Sequence, residues 1–256
     1  LSIYPSKTVV FLPDIHFRKK PGGEDRRTLD AVKNYLSDTA VDEIVFAGDV
    51  MDHNSISSHN VGNLRAVSGE TLDIDYEHAN KGLDEIHQAA PDAKFVMIEG
   101  NHDWRPEALI NAQPQLKGRV ETPLGLKLKK RGWLWVPYWS QGTVYDVGKA
   151  SFGHGRYTNL HHAYKHALSY GRNFYYGHLH DVQSHTVERA GDNEKYEASS
   201  MGCLCSYRQY WLKGRPTRWQ QAFGVFHFLP NGFYNKYTVR IFNHRFVSPE
   251  GKIYKG

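Results

Sequence analysis

The sequence predicts an α/β fold in which a parallel sheet carrying helices packs against a second, largely antiparallel sheet. Three observations predict it. In the first half, a short buried run, a polar cluster and a helical stretch follow one another three times, and strands alternating with helices imply a parallel sheet. Beyond residue 181 the chain is almost wholly strand-like and punctuated by turn residues, which suits antiparallel pairing. Asp, His and Asn gather where the early strands end, the place where open α/β sheets bind ligands. The 256 residues suit one large domain or two small ones. With no repeat, low-complexity segment or linker in view, a single domain over 1–256 is expected.

Residues 9–12 read as a short buried strand that Pro13 ends, with Asp14 and His16 directly after it. Residues 27–36 have helical spacing, with Leu29, Val32 and Leu36 on one stripe. Residues 43–47 form the next strand, and Gly48-Asp49 sits at its end. The polar stretch 53–75 breaks the rhythm as an inserted loop, or a loop with a short helix. A helix over 76–89 turns Leu83, Ile86 and Ala90 inward, and a strand over 94–98 leads to Gly100-Asn101-His102. Residues 133–139, 151–153 and 173–176 read as strands, with a helix over 160–168 between the last two. Residues 186–189 turn at Gly191-Asp192-Asn193, and 223–229 turn at Pro230-Asn231-Gly232 into 233–241. Ser248-Pro249-Glu250-Gly251 marks one more hairpin. The motif-bearing part is 7–181, and 182–256 is expected to complete the second sheet.

Composition narrows the class. Hydrophobic residues make up 40% of the chain, enough for a core. Mean hydropathy is −0.61, and no apolar run approaches the ~20 residues of a membrane span. The first ten residues lack a signal-peptide layout, so a soluble cytoplasmic protein is expected. Cys203 and Cys205, one residue apart, make neither a disulfide framework nor a Cys-type zinc site, and read as reduced, partly buried thiols. The net charge of +5 favours anionic partners such as phosphate esters or nucleic acid. The 15 histidines are the stronger anomaly, because several fall at strand ends.

Five separated segments carry the chemistry: Asp14-Ile15-His16, Gly48-Asp49-Val50-Met51-Asp52, Gly100-Asn101-His102-Asp103, Gly153-His154 and Gly177-His178-Leu179-His180. On extended backbone, residues i and i+2 point the same way, so Asp14 and His16 can hold one ion. Asp49 follows a glycine that permits close backbone approach, and its two oxygens can bridge two ions. Asn101 offers a neutral oxygen, and His154, His178 and His180 offer imidazole nitrogens.

In this order the segments resemble the calcineurin-like metallophosphoesterase superfamily. It includes protein phosphatases, cyclic-nucleotide phosphodiesterases, nucleases of the Mre11 and SbcD kind, and related bacterial or phage phosphoesterases. Its pattern is Asp-x-His, Gly-Asp-x-x-Asp, Gly-Asn-His-Asp/Glu, Gly-His and Gly-His-x-His. The resemblance implies a two-sheet β-sandwich flanked by helices and a metal-dependent phosphoric ester hydrolase. It implies that Asp14, His16 and His180 hold a first metal, that Asn101, His154 and His178 hold a second, and that Asp49 bridges them. It implies that His102 faces the leaving oxygen, with Asp52 hydrogen-bonded behind it, while Asp103 supports the loop. Two divalent ions ~3.5–4 Å apart clamp phosphoryl oxygens and acidify a bridging water, and the resulting hydroxide attacks phosphorus in line. Ligands without sulfur suit manganese first, with iron, zinc, cobalt or nickel as alternatives.

Two departures bear on substrate. Phe17 stands where many members have glycine, and is expected to narrow the site or stack on a base. His53 stands where protein phosphatases place a phosphate-holding arginine, which favours the diesterase branches. Tyr207-Arg208-Gln209-Tyr210-Trp211, followed by Lys213, Arg215, Arg218 and Trp219, interleaves bases with aromatics as phosphates and stacked bases require. Arg208 and Arg215 are the candidate phosphate contacts there. The run Lys127, Lys129, Lys130 and Arg131 reads as a solvated face. A phosphodiesterase acting on nucleotide, DNA or RNA is the leading expectation. A phosphomonoesterase on a small substrate and a non-catalytic, metal-stabilised binding module are the alternatives. Degenerate members of the second kind would lose a ligand or His102, and neither is lost here.

Overall fold

Strand β1 (Lys7–Leu12) separates two cores by simple alternation. Val9 and Phe11 enter one, Val10 and Leu12 the other. The computed structural model describes residues 5–191, 194–207, 209 and 212–256. After β1 come helix α1 (Arg26–Asp38), β2 (Glu43–Phe46), α2 (Leu72–Ala89) and β3 (Lys94–Ile98). Then follow α3 (Arg105–Ala112), the helical turns α4 (Thr122–Gly125) and α5 (Leu128–Arg131), β4 (Leu134–Val136) and the turn α6 (Tyr138–Gln141). The remainder is β5 (Tyr145–Val147), β6 (Ala150–Phe152), α7 (His162–Tyr170), β7 (Phe174–Tyr176), β8 (Val182–Glu188) and β9 (Lys195–Met201). The chain closes with β10 (Ala222–Phe228), β11 (Tyr234–Arg240), β12 (Arg245–Val247) and β13 (Ile253–Lys255).

The main sheets run β11-β10-β1-β2-β3-β4 and β5-β6-β7-β9-β8. β1 to β4 are mutually parallel, so all their carboxyl ends open on one edge. In the second sheet β6, β7 and β9 are parallel, which carries the segments after β6 and β7 to that region. Between the sheets lie Phe11, Val45 and Val96 of the first and Phe152, Phe174 and Tyr175 of the second. The outer face of the first sheet packs Val10, Ile44 and Met97 under Val32 and Tyr35 of α1 and Leu83 of α2. The result is the expected two-sheet sandwich flanked by helices. No helix among the described residues is long and apolar enough to cross a membrane.

Several boundaries differ from the sequence reading. α2 begins at Leu72, four residues earlier than its periodicity suggests, because the Thr71 hydroxyl accepts the Ile74 amide at 3.3 Å and caps the helix. Residues 53–71 form short 3₁₀ turns, such as Asn54–Ile56 and Ser58–Asn60. The strand expected over 133–139 keeps only Leu134–Val136, because Pro137 has no amide to donate and the chain turns into α6. The helix expected over 160–168 runs His162–Tyr170 instead, turning His162 and His166 inward and leaving Leu168 exposed, with Leu160 exposed before it. The stretch 182–256 does not all complete the second sheet. β8 and β9 do, but β10 pairs antiparallel with β1 and brings β11 into the first sheet, while β12 and β13 form a separate hairpin against Tyr35. Of the turn expected at Gly191-Asp192-Asn193, Asp192 and Asn193 lie outside the described residues.

Candidate metal centre

The five segments converge on the shared carboxyl edge, and their backbone is unusual. Asp14, His16, Asp49, His178 and His180 all have positive φ, between 44° and 72°. A left-handed non-glycine residue costs on the order of 1 kcal/mol or more and persists only where the surroundings over-determine it. Here the loops after β1 and β2 lock together, with the His16 amide donating to Asp49 O at 2.9 Å and that of Phe17 to Val50 O at 2.7 Å. Gly48, at φ 92°, admits the approach: a Cβ there would stand 2.6 Å from His154 Nδ1 and 2.8 Å from Gly100 Cα.

Two donor groups result, Asp14/His16/His180 and Asp49/His154/His178, buried except for the half-buried His178, each with its donor atoms within 4.8 Å of one another. In the first, His180 Nε2 stands 3.2 Å from Asp14 Oδ1 and 3.2 Å from His16 Nε2. In the second, His154 Nε2 stands 3.3 Å from Asp49 Oδ2 and 3.0 Å from Asn101 Oδ1. Donors held at about 2.0–2.2 Å from one ion stand about 2.9–3.5 Å apart, and these four pairs have that spacing, while His16 Nε2 and Asp14 Oδ1 are 3.9 Å apart. The outer nitrogens are arranged to match. His154 Nδ1–H donates to Ala47 O at 2.9 Å, so Nε2 is the nitrogen that faces inward. His178 Nδ1 is buried with no hydrogen-bond partner, an orphan that a cation would satisfy. Two imidazole Nε2 atoms 3.2 Å apart likewise need a proton or a cation between them.

Charge follows this geometry. Burial lowers His154 and His180, but Asp49 beside the first and Asp14 beside the second outweigh it, and both imidazoles stand at about 9. Burial and the neighbouring His154 push His178 down to about 3. Burial raises Asp49, but the His154 and His102 charges hold its carboxyl well below the usual range. Burial also raises Asp52, and its hydrogen bonds with His102 and His16 more than reverse that.

His102 borders the groups without joining either shell. Its amide donates to Asp49 Oδ1 at 2.8 Å, and its Nδ1 lies 3.0 Å from Asp52 O and 3.2 Å from Asp52 Oδ1. Arg105, which starts α3, donates from Nη2 to His102 Nε2 at 3.2 Å and from Nη1 to Asp52 O at 2.7 Å. Arginine cannot accept, so Nδ1 carries the ring proton toward Asp52. Sequence reasoning missed Arg105, although it stands three residues past His102. Asp103 supports the loop, accepting the Met51 amide on Oδ1 at 3.0 Å and that of Gly100 on Oδ2 at 3.0 Å. Burial and the Asp49 charge push Asp103 up to about 7.

A cleft of about 290 Å³ opens over these groups, bordered by His16, Asp49, Asn101, His102, His178 and His180 and, on its outer side, by Thr158, Gln209 and Trp219. The Trp219 ring lies 4.3 Å from that of His180. Three expected substrate contacts are elsewhere. Phe17 is fully buried in the outer core, next to Gly82 and His78, where its amide is tied to Val50 O. His53 is buried too, with Nε2 3.0 Å from Thr122 Oγ1 and its ring against Tyr76. Arg215 is exposed and does not border the cleft. Arg208, with Tyr210 and Trp211, lies outside the described residues.

A second histidine layer braces the loop after His154. His166 Nε2 accepts the Arg156 amide at 2.9 Å and the Tyr157 amide at 3.3 Å, while Nδ1–H donates to His162 O at 2.7 Å. Burial pushes this imidazole down to about 4. A depressed folded pKa on a base means that its stabilisation is full above the unfolded value near ~6.5 and fades as pH falls toward the folded one. The stability advantage of wild type over His166→Gln is therefore expected to shrink by roughly 1–3 kcal/mol between pH 7.5 and 5. Urea unfolding at the two pH values measures it, and a pH-independent advantage contradicts it.

A sequence model of the Calcineurin-like phosphoesterase family matches residues 7–224 of the chain. The chain is similar to the Gene 54 protein of Mycobacterium phage L5, with 26% identity over 217 residues, covering 79% of this chain and 83% of that protein. Gene 54 protein of Mycobacterium phage D29 is 27% identical over 224 residues, with 79% and 83% covered. Among solved structures, that of Chaetomium thermophilum Vps29 aligns over 98% of this chain and 96% of its own, with a TM-score of 0.46 and 10% identity.

Proposed function

The chain belongs to the calcineurin-like phosphoesterase family, and we propose that it is a two-metal phosphodiesterase acting on nucleotide or nucleic-acid substrates. The observation that carries this reading is the place of Asp49. Its Oδ2 stands 3.8 Å from His16 Nε2 in one donor group, 3.3 Å from His154 Nε2 in the other and 3.9 Å from His102 Nε2. On this reading Asp14, His16 and His180 hold one ion, Asn101, His154 and His178 hold the other, and Asp49 touches both. The inward nitrogens, the orphan Nδ1 of His178 and the absence of sulfur from both shells fit a divalent transition metal, manganese first. Bound there, the pair supplies Lewis acidity at the phosphoryl oxygens and a nucleophile at neutral pH.

The chain's own side chains supply the remainder. His102 faces the cleft and donates the proton that the leaving oxygen needs, while Asp52 fixes its ring. Trp219 at the cleft edge offers a ring on which a base can stack. Diesters are favoured because no lysine or arginine is among the described residues bordering the cleft, which leaves no side-chain cation there to hold the second charge of a monoester dianion. His53, buried against Thr122, does not take the place of a phosphate-holding arginine.

One manganese-supplemented panel tests the reading. It compares p-nitrophenyl phosphate, its bis-ester, cyclic nucleotides, single- and double-stranded DNA, and RNA. Diesters are expected to turn over faster, and preference for the monoester overturns the assignment. Elemental analysis is expected to find about two ions per chain. A chain that holds none after manganese loading is not a two-metal enzyme.

A further inference from the structure

The ring of His180 has two sides. Nε2 faces Asp14 and His16, but Nδ1 meets a sulfur, with Cys205 Sγ at 3.6 Å. Histidine ligands ordinarily turn that second nitrogen to a carboxylate, a carbonyl or water. Cys203 stands two residues from Cys205, and donor atoms of His180, Cys203 and Cys205 all lie within 4.8 Å of one another. All three side chains are buried and both thiols are free.

We propose that Cys203, Cys205 and His180 Nδ1 form a site for one soft, thiophilic divalent ion, distinct from the oxygen–nitrogen centre and joined to it through the His180 ring. Sulfur at about 2.3 Å and nitrogen at about 2.0–2.1 Å from one ion stand about 3.6–3.8 Å apart, which is the separation found. Charge favours the same assignment. Two thiolates offset the charge of a divalent ion, whereas a lone buried ion is costly. Binding is balanced: one ion enters, two thiol protons and the remaining His180 ring proton leave to solvent, so that the ring bridges as imidazolate, and nothing is oxidised. Two cysteines are too few for an all-sulfur zinc site, but the third donor comes from a different part of the chain, where sequence spacing does not reveal it.

Cadmium is the probe. Reduced, manganese-loaded protein is titrated with Cd²⁺ while ultraviolet absorption is followed for sulfur-to-cadmium charge transfer. The band is expected to saturate at one ion per chain and to be lost in both Cys203→Ser and Cys205→Ser. X-ray absorption at the cadmium edge, on wild type alone, is expected to count two sulfur neighbours and does not depend on either variant folding. A wild-type protein with no charge-transfer band, or with fewer than two sulfur neighbours, overturns the site. Neither readout uses substrate, so the result stands apart from whether the chain hydrolyses phosphodiesters.

Discussion

Asp49→Ala is expected to lose the bound metal and, with it, turnover by about 10⁴-fold or more, since each Lewis-acid ion is worth several kcal/mol of transition-state stabilisation. Asp49 stands beside imidazoles of both donor groups, and it also accepts the His102 amide on Oδ1 at 2.8 Å. Removing it takes away the charge that raises His154 and releases the backbone turn that presents His102. Alanine also fits poorly at φ 49°, so some loss of folded protein is expected alongside. Asp49→Asn separates the two effects. Asparagine tolerates the left-handed region and keeps an oxygen for the His102 amide, but it lacks the charge and the second oxygen that bridging requires. The Asn variant is expected to unfold at nearly the wild-type temperature while holding at most one ion per chain. Two ions per chain by elemental analysis in the Ala variant would falsify the bridging role.

The site was legible to the extent that its residues are local. Each segment ends or follows a strand, and a parallel sheet gathers strand ends by construction, so Asp14, Asp49 and Asn101 were placed together without knowledge of any contact. What failed was the inference that neighbours in sequence share a surface. Phe17 adjoins His16 and His53 adjoins Asp52, yet both turn into the protein. For Phe17 the turn is set by left-handed backbone at Asp14 and His16, which the extended reading of this segment did not anticipate. For His53 nothing local pointed away from the cleft, because its partners Thr122 and Tyr76 come from distant helices. Trp219 was correctly drawn to the site edge by the aromatic–basic run that contains it, but Arg215 of the same run stays in solvent.

Sheet membership was the least legible property of the fold. The hairpin of β10 and β11 shows itself through Pro230-Asn231-Gly232, and its strands fall where expected. Which sheet it joins depends on whether Phe226 meets Val9 or a strand of the other layer, a pairing across more than two hundred residues. Both sheets present similar apolar faces, so the local pattern cannot choose between them. The functional consequence is direct. With β10 beside β1, the segment that precedes it brings Trp219 over His180 and the two cysteines beneath it.

His102→Ala is expected to slow turnover of unactivated diesters by about 10²–10⁴-fold while the metal content stays at the wild-type level. The reasoning rests on which contacts the substitution spares. The amide that donates to Asp49 Oδ1 belongs to the backbone, so the bridging carboxylate keeps its place. The imidazole itself touches Asp52 and Arg105 and stands 3.9 Å from Asp49 Oδ2, beyond the reach of a shared hydrogen bond. As the general acid, His102 carries its transferable proton on Nε2, the nitrogen that Arg105 now meets, so charging the ring breaks that contact while Asp52 steadies Nδ1. The loss should therefore depend on the leaving group. An alkoxide needs a proton as the P–O bond breaks, whereas p-nitrophenolate departs without one, so the deficit for bis(p-nitrophenyl) phosphate should shrink toward unity. Paired rates on the bis-ester and on an oligonucleotide, with metal counted in the same samples, read both parts. An equal deficit on both substrates removes the acid role, and an emptied site moves His102 into the ligand set.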